Sequence, residues 1–207
     1  MHTTFRTILE VLSLAEKLKF ELRHSWLSNG RQESVAEHTW RMSLMALLLE
    51  PYLDQPVDML RLLKMIIIHD LVEAEAGDIP VFHTLNSEEV RQQKSMNEQR
   101  AIEHIREQLG EPTGPEFYDL WQEFEHKKSY EAKVANAIDK LEVQIQHNEA
   151  DFSTWLDIEN ELVYTMDPHV AFDKNLKVFK EIIVEDAELK MKNGGVQLET
   201  LKAKISN

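Results

Sequence analysis

The stretch IIIHDLVEAEAGDIP, residues 66–80, joins the most apolar run of the chain to a dense group of acids. The acids are Asp70, Glu73, Glu75 and Asp78. Successive residues of an α-helix turn by about 100°, so the three isoleucines face three directions and predict a helix that is buried on most sides. Carboxylates are unfavourable at the C-terminal end of such a helix, because the helix dipole already makes that end negative. The stretch therefore indicates a compensating cation or a functional site.

A divalent metal ion would satisfy a histidine nitrogen and several carboxylate oxygens together. Glu73 lies four residues after His69 and three after Asp70, so these side chains are neighbours over adjoining helical turns. His38 and Asp139 are two further polar residues on predicted helices that are otherwise apolar. Each residue alone is better explained by a solvent-facing or hydrogen-bonded side chain. The ordered set of histidine, histidine–aspartate and aspartate is a stronger signal, and it predicts a metal site.

Charge and cysteine content exclude several classes of function. The 207 residues are enough for one domain with a substantial core, and their net charge is −14 at pH 7. So large a negative excess argues against a nucleic-acid partner and against an anionic membrane surface, because phosphate groups would be repelled. The chain has no cysteine, which excludes disulfides, thiolate metal sites and cysteine nucleophiles. Any metal ion must therefore be bound by nitrogen and oxygen.

The first twenty residues, MHTTFRTILEVLSLAEKLKF, do not resemble a signal peptide. Arg6, Glu10, Glu16 and Lys17 interrupt the apolar segment that a signal peptide needs. No apolar run in the chain reaches the length of a membrane-spanning helix. We therefore expect a soluble cytoplasmic protein.

Helical periodicity dominates the remaining sequence and predicts an all-α fold. Ser34 and Glu37 form an S-x-x-E capping box that predicts the start of a helix, which Pro51 ends. Further helices are predicted at about 5–18, 56–77, 87–109, 117–124, 130–150, 155–162 and 168–194. No segment shows a convincing strand alternation. We predict a single-domain helical bundle of about seven to nine helices, with residues 1–195 as the domain and 196–207 as a C-terminal tail.

Three segments resemble the HD-domain metal-dependent phosphohydrolases. They are ESVAEH (33–38), HDLVEAEAGDIP (69–80) and AIDKLEVQIQ (137–146). The last two carry HD-x-x-E followed by GD-[ILV]-P and the final aspartate, which is a more restrictive pattern than H…HD…D alone. The likeness runs from about residue 18 to 159 and is greatest for the 5′-deoxynucleotidase branch (the HD domain-containing protein 2 type). That branch has a tryptophan where this chain has His24.

The resemblance implies a role for each matching residue. The metal ligands would be His38, His69, Asp70 and Asp139. The catalytic residues would be Glu73 and Asp78, which could also form a second metal site with the Ile79 carbonyl. The substrate contacts would be Arg23, His38, Asp78 and Pro80. The divalent ion would be Mn²⁺, Co²⁺, Fe²⁺, Zn²⁺ or Mg²⁺, the substrate a (deoxy)nucleoside 5′-monophosphate, and the protein a homodimer. The net charge predicts that it has no nucleic-acid or membrane partner.

Two alternative interpretations remain open from the sequence. The first is another HD-type phosphohydrolase or phosphodiesterase with a different nucleotide substrate, and some such enzymes use two additional histidines. His83, His104 and His126 lie in the required interval; we expect surface positions for the last two and give most weight to His83. The second is a helical dimer whose metal ion has no catalytic role.

Overall fold

Helices make up most of the protein in the computed structural model, which describes residues 1–85 and 87–205. The α-helices are α1 His2–Ala15, α2 Val35–Leu49, α3 Met59–His69, α4 Glu73–Ala76, α5 Val81–Leu85, α6 Glu88–Leu109, α7 Thr113–His126, α8 Tyr130–Glu149, α9 Asp157–Leu162, α10 Asp167–Val170, α11 Lys174–Asn193 and α12 Leu198–Ile205. A two-stranded antiparallel hairpin, β1 Leu22–Trp26 and β2 Gln32–Ser34, stands between α1 and α2. The prediction of an all-α single domain is confirmed, and α1, α2, α3, α6, α7, α8, α11 and α12 have eight residues or more.

Helix α8 lies at the centre of the fold. It contacts α2, α3, α7, α10 and α11, and its alanines at 132, 135 and 137 are fully buried, which allows the neighbouring helices to approach closely. The largest core side chains around it include Met42, Leu62, Met65, Ile138 and Leu141. A helix with so many buried positions places any polar residue on it inside the protein, and Asp139 is one of them.

The predicted helix 56–77 is interrupted, which corrects the sequence-based boundary. Helix α3 ends at His69, and Leu71 N donates to Ile68 O at 3.0 Å in a tighter turn before α4 begins. Adjacent residues inside a helix diverge by about 100°. Because α3 ends at His69, the Asp70 side chain does not diverge by this angle, and its Oδ2 lies 3.0 Å from His69 Nε2. The expected burial on most sides is also wrong in part, since Ile67 is 58% exposed.

The hairpin was missed because its strands are too short and too polar for an alternation to stand out. In the turn between them, Gly30 has a φ of 84°, and Leu27 N donates to Arg31 O at 2.7 Å. Strand β2 leads directly into α2, where Ser34 and Glu37 form the predicted capping box. The hairpin positions Arg23, and the capping box positions the first turn of α2 against the core.

Two differences appear at the C-terminal end. The predicted helix 168–194 is divided into α10 and α11, because the buried Asp173 side chain caps α11 by accepting bonds from Asn175 N and Leu176 N, each at 2.9 Å. The segment predicted as a tail contains α12, whose Leu198 and Leu201 pack against the cluster of Val163, Ala187 and Met191. The domain boundary at residue 195 stays a prediction. Within the described ranges, no helix is both long and apolar enough to cross a membrane.

Candidate metal and phosphate site

Four side chains from three helical regions meet beside α8. His38 comes from the first turn of α2, His69 from the last position of α3, Asp70 from the residue after it and Asp139 from the middle of α8. His38 Nε2 lies 3.3 Å from Asp139 Oδ1 and 3.9 Å from Asp70 Oδ2, and His69 Nε2 lies 3.0 Å from Asp70 Oδ2. The predicted metal ligands are therefore neighbours in the structure, although the sequence separates them by up to a hundred positions.

The hydrogen bonds of the two histidines show which nitrogen is free. His69 Nδ1 lies 2.6 Å from the carbonyl oxygen of Ile66, which can only accept, so Nδ1 carries the proton. His38 Nδ1 pairs with the buried carboxylate of Glu142. Both Nε2 atoms are buried and have no hydrogen-bond partner. A buried nitrogen without a partner is costly, and a metal ion between the two rings and the aspartates would satisfy both.

A second set of ligand atoms surrounds the opposite side of His38. Among the described residues, the atoms of His38, His69 and Asp139 lie within 4.8 Å of one another, and so do those of Glu33, His38 and Glu142. In the second set, however, the histidine nitrogen on that side, His38 Nδ1, already pairs with Glu142, whose other oxygen contacts a cation of the protein. Arg41 Nε lies 2.9 Å from Glu142 Oε1. The set with unpaired nitrogens is therefore the better fit to a metal ion.

Charge–charge interactions around His38 agree with this assignment. Burial and the positive charge of Arg23 would lower the pKa of His38, but the carboxylates of Glu142 and Asp139 outweigh them and raise it to about 9. Burial alone would raise the pKa of Asp139, yet Lys140 and His38 hold it well below its usual range. Without a metal ion these carboxylates favour a second proton on the His38 ring, and a divalent ion bound at Nε2 would displace that proton.

Arg23 stands at the edge of this set of ligands. Its Nη1 is 3.5 Å from Asp70 Oδ2 and its Nε is 3.7 Å from Glu33 Oε2. Burial would lower the pKa of Arg23, but the carboxylates of Asp70 and its neighbours raise it above the usual value. The guanidinium is therefore charged, held on two sides, and placed beside the metal ligands, which is an arrangement suited to a phosphate oxygen.

Glu73, Asp78 and Ile79 follow along the same edge. Glu73 is buried, and burial together with the charges of Asp70 and Asp78 raises its pKa well above the usual value. Burial also raises the pKa of Asp78, whose backbone N donates to Glu21 Oε1 at 3.0 Å. The Ile79 carbonyl accepts from Lys94 Nζ at 3.5 Å. Pro80, predicted as a substrate contact, is next in the chain and partly exposed.

Comparison with known proteins identifies the family of the chain. The model of the HD domain family matches residues 15–175. The chain belongs to the HD-domain family. A Danio rerio protein named 5′-deoxynucleotidase HDDC2 is 35% identical over 145 residues, covering 69% of this chain and 68% of that protein. The Homo sapiens protein of the same name is 32% identical over 146 residues, with coverage of 70% and 68%.

Two solved structures share the fold. A protein from Magnetospirillum magnetotacticum, described as a predicted metal-dependent phosphohydrolase, superimposes with a TM-score of 0.78 at 28% identity. The match covers 91% of this chain and 97% of that one. The PH0347 protein from Pyrococcus horikoshii gives a TM-score of 0.66 at 26% identity, covering 88% and 99%.

The additional histidines of other HD-type enzymes do not assemble here. His83 is exposed on α5, His104 is exposed and pairs with Glu75 at 2.7 Å, and His126 is exposed at the end of α7. None of the three joins a group of three metal-ligating side chains in the described part of the chain. The surface positions predicted for His104 and His126 are confirmed.

Several charged residues of this HD-domain site escaped the sequence-based reasoning. They are Glu33, Arg41, Lys94, Lys140 and Glu142. A signal existed for Glu142, because it lies three residues after Asp139 and so on the same side of α8. Lys140 Nζ holds the outer oxygen of Asp139 at 2.8 Å. Lys94 belongs to a polar helix in which nothing marks it out, so only the structure could reveal it.

We predict that Glu142→Gln weakens Mn²⁺ binding about 10- to 100-fold, as is typical when the carboxylate behind a ligating histidine is changed. The amide keeps the size of the side chain but loses the charge that orients the proton on His38 Nδ1. Isothermal titration calorimetry of metal-stripped protein measures the affinity, and circular dichroism confirms the helical fold.

Glu149→Gln is the matched control, because Glu149 is largely exposed and contacts the same Arg41 at 2.7 Å. Its Mn²⁺ affinity should equal that of the wild type. Equal affinities for all three proteins would show that Glu142 has no influence on the metal site.

Proposed function

We propose that this protein is a metal-dependent phosphohydrolase that releases phosphate from (deoxy)nucleoside 5′-monophosphates. The observation that carries the proposal is the pair of unpartnered Nε2 atoms of His38 and His69, which face two aspartates beside the charged guanidinium of Arg23. Relatives that are named 5′-deoxynucleotidases support the substrate class, because they match about two thirds of the chain. The Magnetospirillum magnetotacticum neighbour supports the reaction type.

The proposed metal ligands are His38, His69, Asp70 and Asp139. A divalent ion bound there would neutralise a phosphoryl oxygen and lower the pKa of a bound water. The N/O ligand set suits Mn²⁺, Co²⁺, Fe²⁺, Zn²⁺ or Mg²⁺. Lys140 holds one oxygen of Asp139 and leaves the other, which lies nearest His38, for the ion.

The other side chains of the site handle the phosphate and the proton. Arg23 binds a phosphate oxygen with its guanidinium, which supplies a local positive charge in an otherwise acidic protein. Glu73 is the proposed general acid: its raised pKa keeps a proton available for the leaving 5′ oxygen. Asp78 lies beside it and orients the substrate together with His38 and the chain at Pro80. The position of Arg23 also favours catalysis over a purely structural ion, since a structural site needs no anion-binding arginine.

We predict that metal-stripped protein regains phosphate release from deoxynucleoside 5′-monophosphates when a single kind of divalent ion is added. Asp70→Asn removes one ligand charge and should lower that rate more than about 100-fold while the helical content stays unchanged. Phosphate release is measured over a panel of deoxy- and ribonucleoside monophosphates.

Asp167→Asn serves as the control, because Asp167 is exposed and pairs only with Lys180 among the ion pairs of the described chain. Absence of metal-dependent release from every nucleotide in the panel would contradict the proposed function. Full activity of Asp70→Asn would remove the ion from the mechanism.

We also propose that the protein forms a homodimer through an apolar face built by α1, α2 and α3. These three helices carry exposed apolar side chains, nine of which we propose as the contact: Phe5, Ile8, Leu9, Leu12, Trp40, Leu44, Leu47, Leu48 and Ile67. Ile8, Leu12 and Ile67 line one groove of about 410 Å³ together with Thr39, the residue before Trp40. Exposed apolar side chains around an apolar groove favour a second copy of the chain as its cover. The net charge of −14 supports the absence of a nucleic-acid partner, and the cytoplasmic location stays a prediction from sequence.

We predict that Trp40→Glu converts the dimer into a monomer, because a charge would be buried in the contact between copies. Sedimentation equilibrium of the full chain measures the mass. Val178→Glu changes an exposed apolar residue on α11, away from this face, and should leave the dimer intact. A wild-type protein that is monomeric at micromolar concentration would contradict the proposal.

A further inference from the structure

Lys94 enters the site where the sequence allows a second metal ion. Its Nζ lies 3.5 Å from the carbonyl oxygen of Ile79 and 4.0 Å from Glu73 Oε1. Glu98, one turn further along α6, holds the same ammonium at 3.4 Å. Two of the three groups expected to bind a second ion, the Glu73 carboxylate and the Ile79 carbonyl, therefore face a cation that belongs to the protein.

The position of the ammonium follows from the fold. Helix α6 packs against both α4, which begins with Glu73, and α5, which follows Ile79. The Lys94–Glu98 pair has the i, i+4 spacing that stabilises a helix surface and orients the lysine side chain. The packing of α6 against α4 and α5 places Lys94 beside the site, and its side chain is only 27% exposed.

The acids around Lys94 gather no third carboxylate or imidazole from the described residues. Among the described residues, the side chains of Glu73 and Asp78 belong to no group of three ligand atoms within 4.8 Å of one another. A divalent ion between Glu73 and the Ile79 carbonyl would also stand next to the ammonium, where like charges repel. One buried polar atom of this region, Glu73 Oε2, has no hydrogen-bond partner, whereas the first metal site has two such nitrogens; neither Asp78 nor Lys94 has a buried polar atom of this kind.

We propose that the ammonium of Lys94 replaces a second metal ion, so that each chain binds one divalent ion and supplies the second cation itself. The inference rests on the proposed metal site and deepens the proposed function. A phosphate group bound at the site would then meet one ion, the guanidinium of Arg23 and the ammonium of Lys94. Occupancy of such a site requires the binding of one metal ion, whereas a two-ion site requires the binding of two.

The test counts bound ions in the absence of substrate. Metal-stripped full-length protein is titrated with Mn²⁺ by calorimetry, and electron paramagnetic resonance detects whether two Mn²⁺ ions are coupled at short distance. We expect one ion per chain in the wild type. Lys94→Met, which keeps the length of the side chain but removes its charge, should bind two ions and show the coupled signal.

Two control variants keep the test decisive. Lys94→Arg retains a positive charge and should bind one ion, and Lys177→Met, at an exposed position on α11, should also bind one. Two ions in the wild type, or a single ion in a folded Lys94→Met, would overturn the inference. If Lys94→Met does not fold, Lys94→Gln takes its place. A wild-type protein that binds two Mn²⁺ ions per chain overturns the inference without any variant. Absence of any bound ion would reject the metal site itself, whereas one ion without phosphate release would reject only the proposed activity.

Discussion

The site depends on two buried imidazoles whose Nδ1 atoms are held on the side away from Asp70 and Asp139. The Ile66 carbonyl fixes the proton of His69 and the Glu142 carboxylate that of His38, so both Nε2 atoms point to the same place. Each unpartnered nitrogen is unfavourable inside a protein, and together with the acids they make a position that a divalent ion would stabilise. The end of α3 at His69, the buried middle of α8 and the capped start of α2 all serve to bring these groups together.

Local cations explain how an acidic protein could bind an anionic substrate. The net charge of −14 belongs to the chain as a whole, while Arg23, Lys94 and Lys140 each stand within 4.0 Å of a carboxylate of the site. These residues compensate the buried acids before any ion is bound. The unfavourable cluster of acids after the isoleucine run is thus stabilised by side chains from β1, α6 and α8, none of which adjoins it in sequence.

Much of the fold could be predicted from the sequence, since long amphipathic helices and the capping box at Ser34 are local patterns. The four metal-ligand candidates were also predictable, because their order and their acidic surroundings are visible in the chain. The break after His69 was not, since it depends on how Asp70 turns toward groups from other helices. The short hairpin and the roles of Lys94 and Arg41 were not predictable for the same reason. Each is defined by contacts between segments that composition and periodicity do not report.

Anomalous diffraction from crystals grown with Mn²⁺ tests the central claim most directly, because it locates the ion without reference to activity. The account predicts one peak per chain, about 2.2 Å from Nε2 of His38 and of His69 and in contact with Asp70 and Asp139. A peak on the Nδ1 side of His38, between Glu33 and Glu142, would contradict it. So would crystals in which the two Nε2 atoms and the two aspartates surround no ion at saturating Mn²⁺.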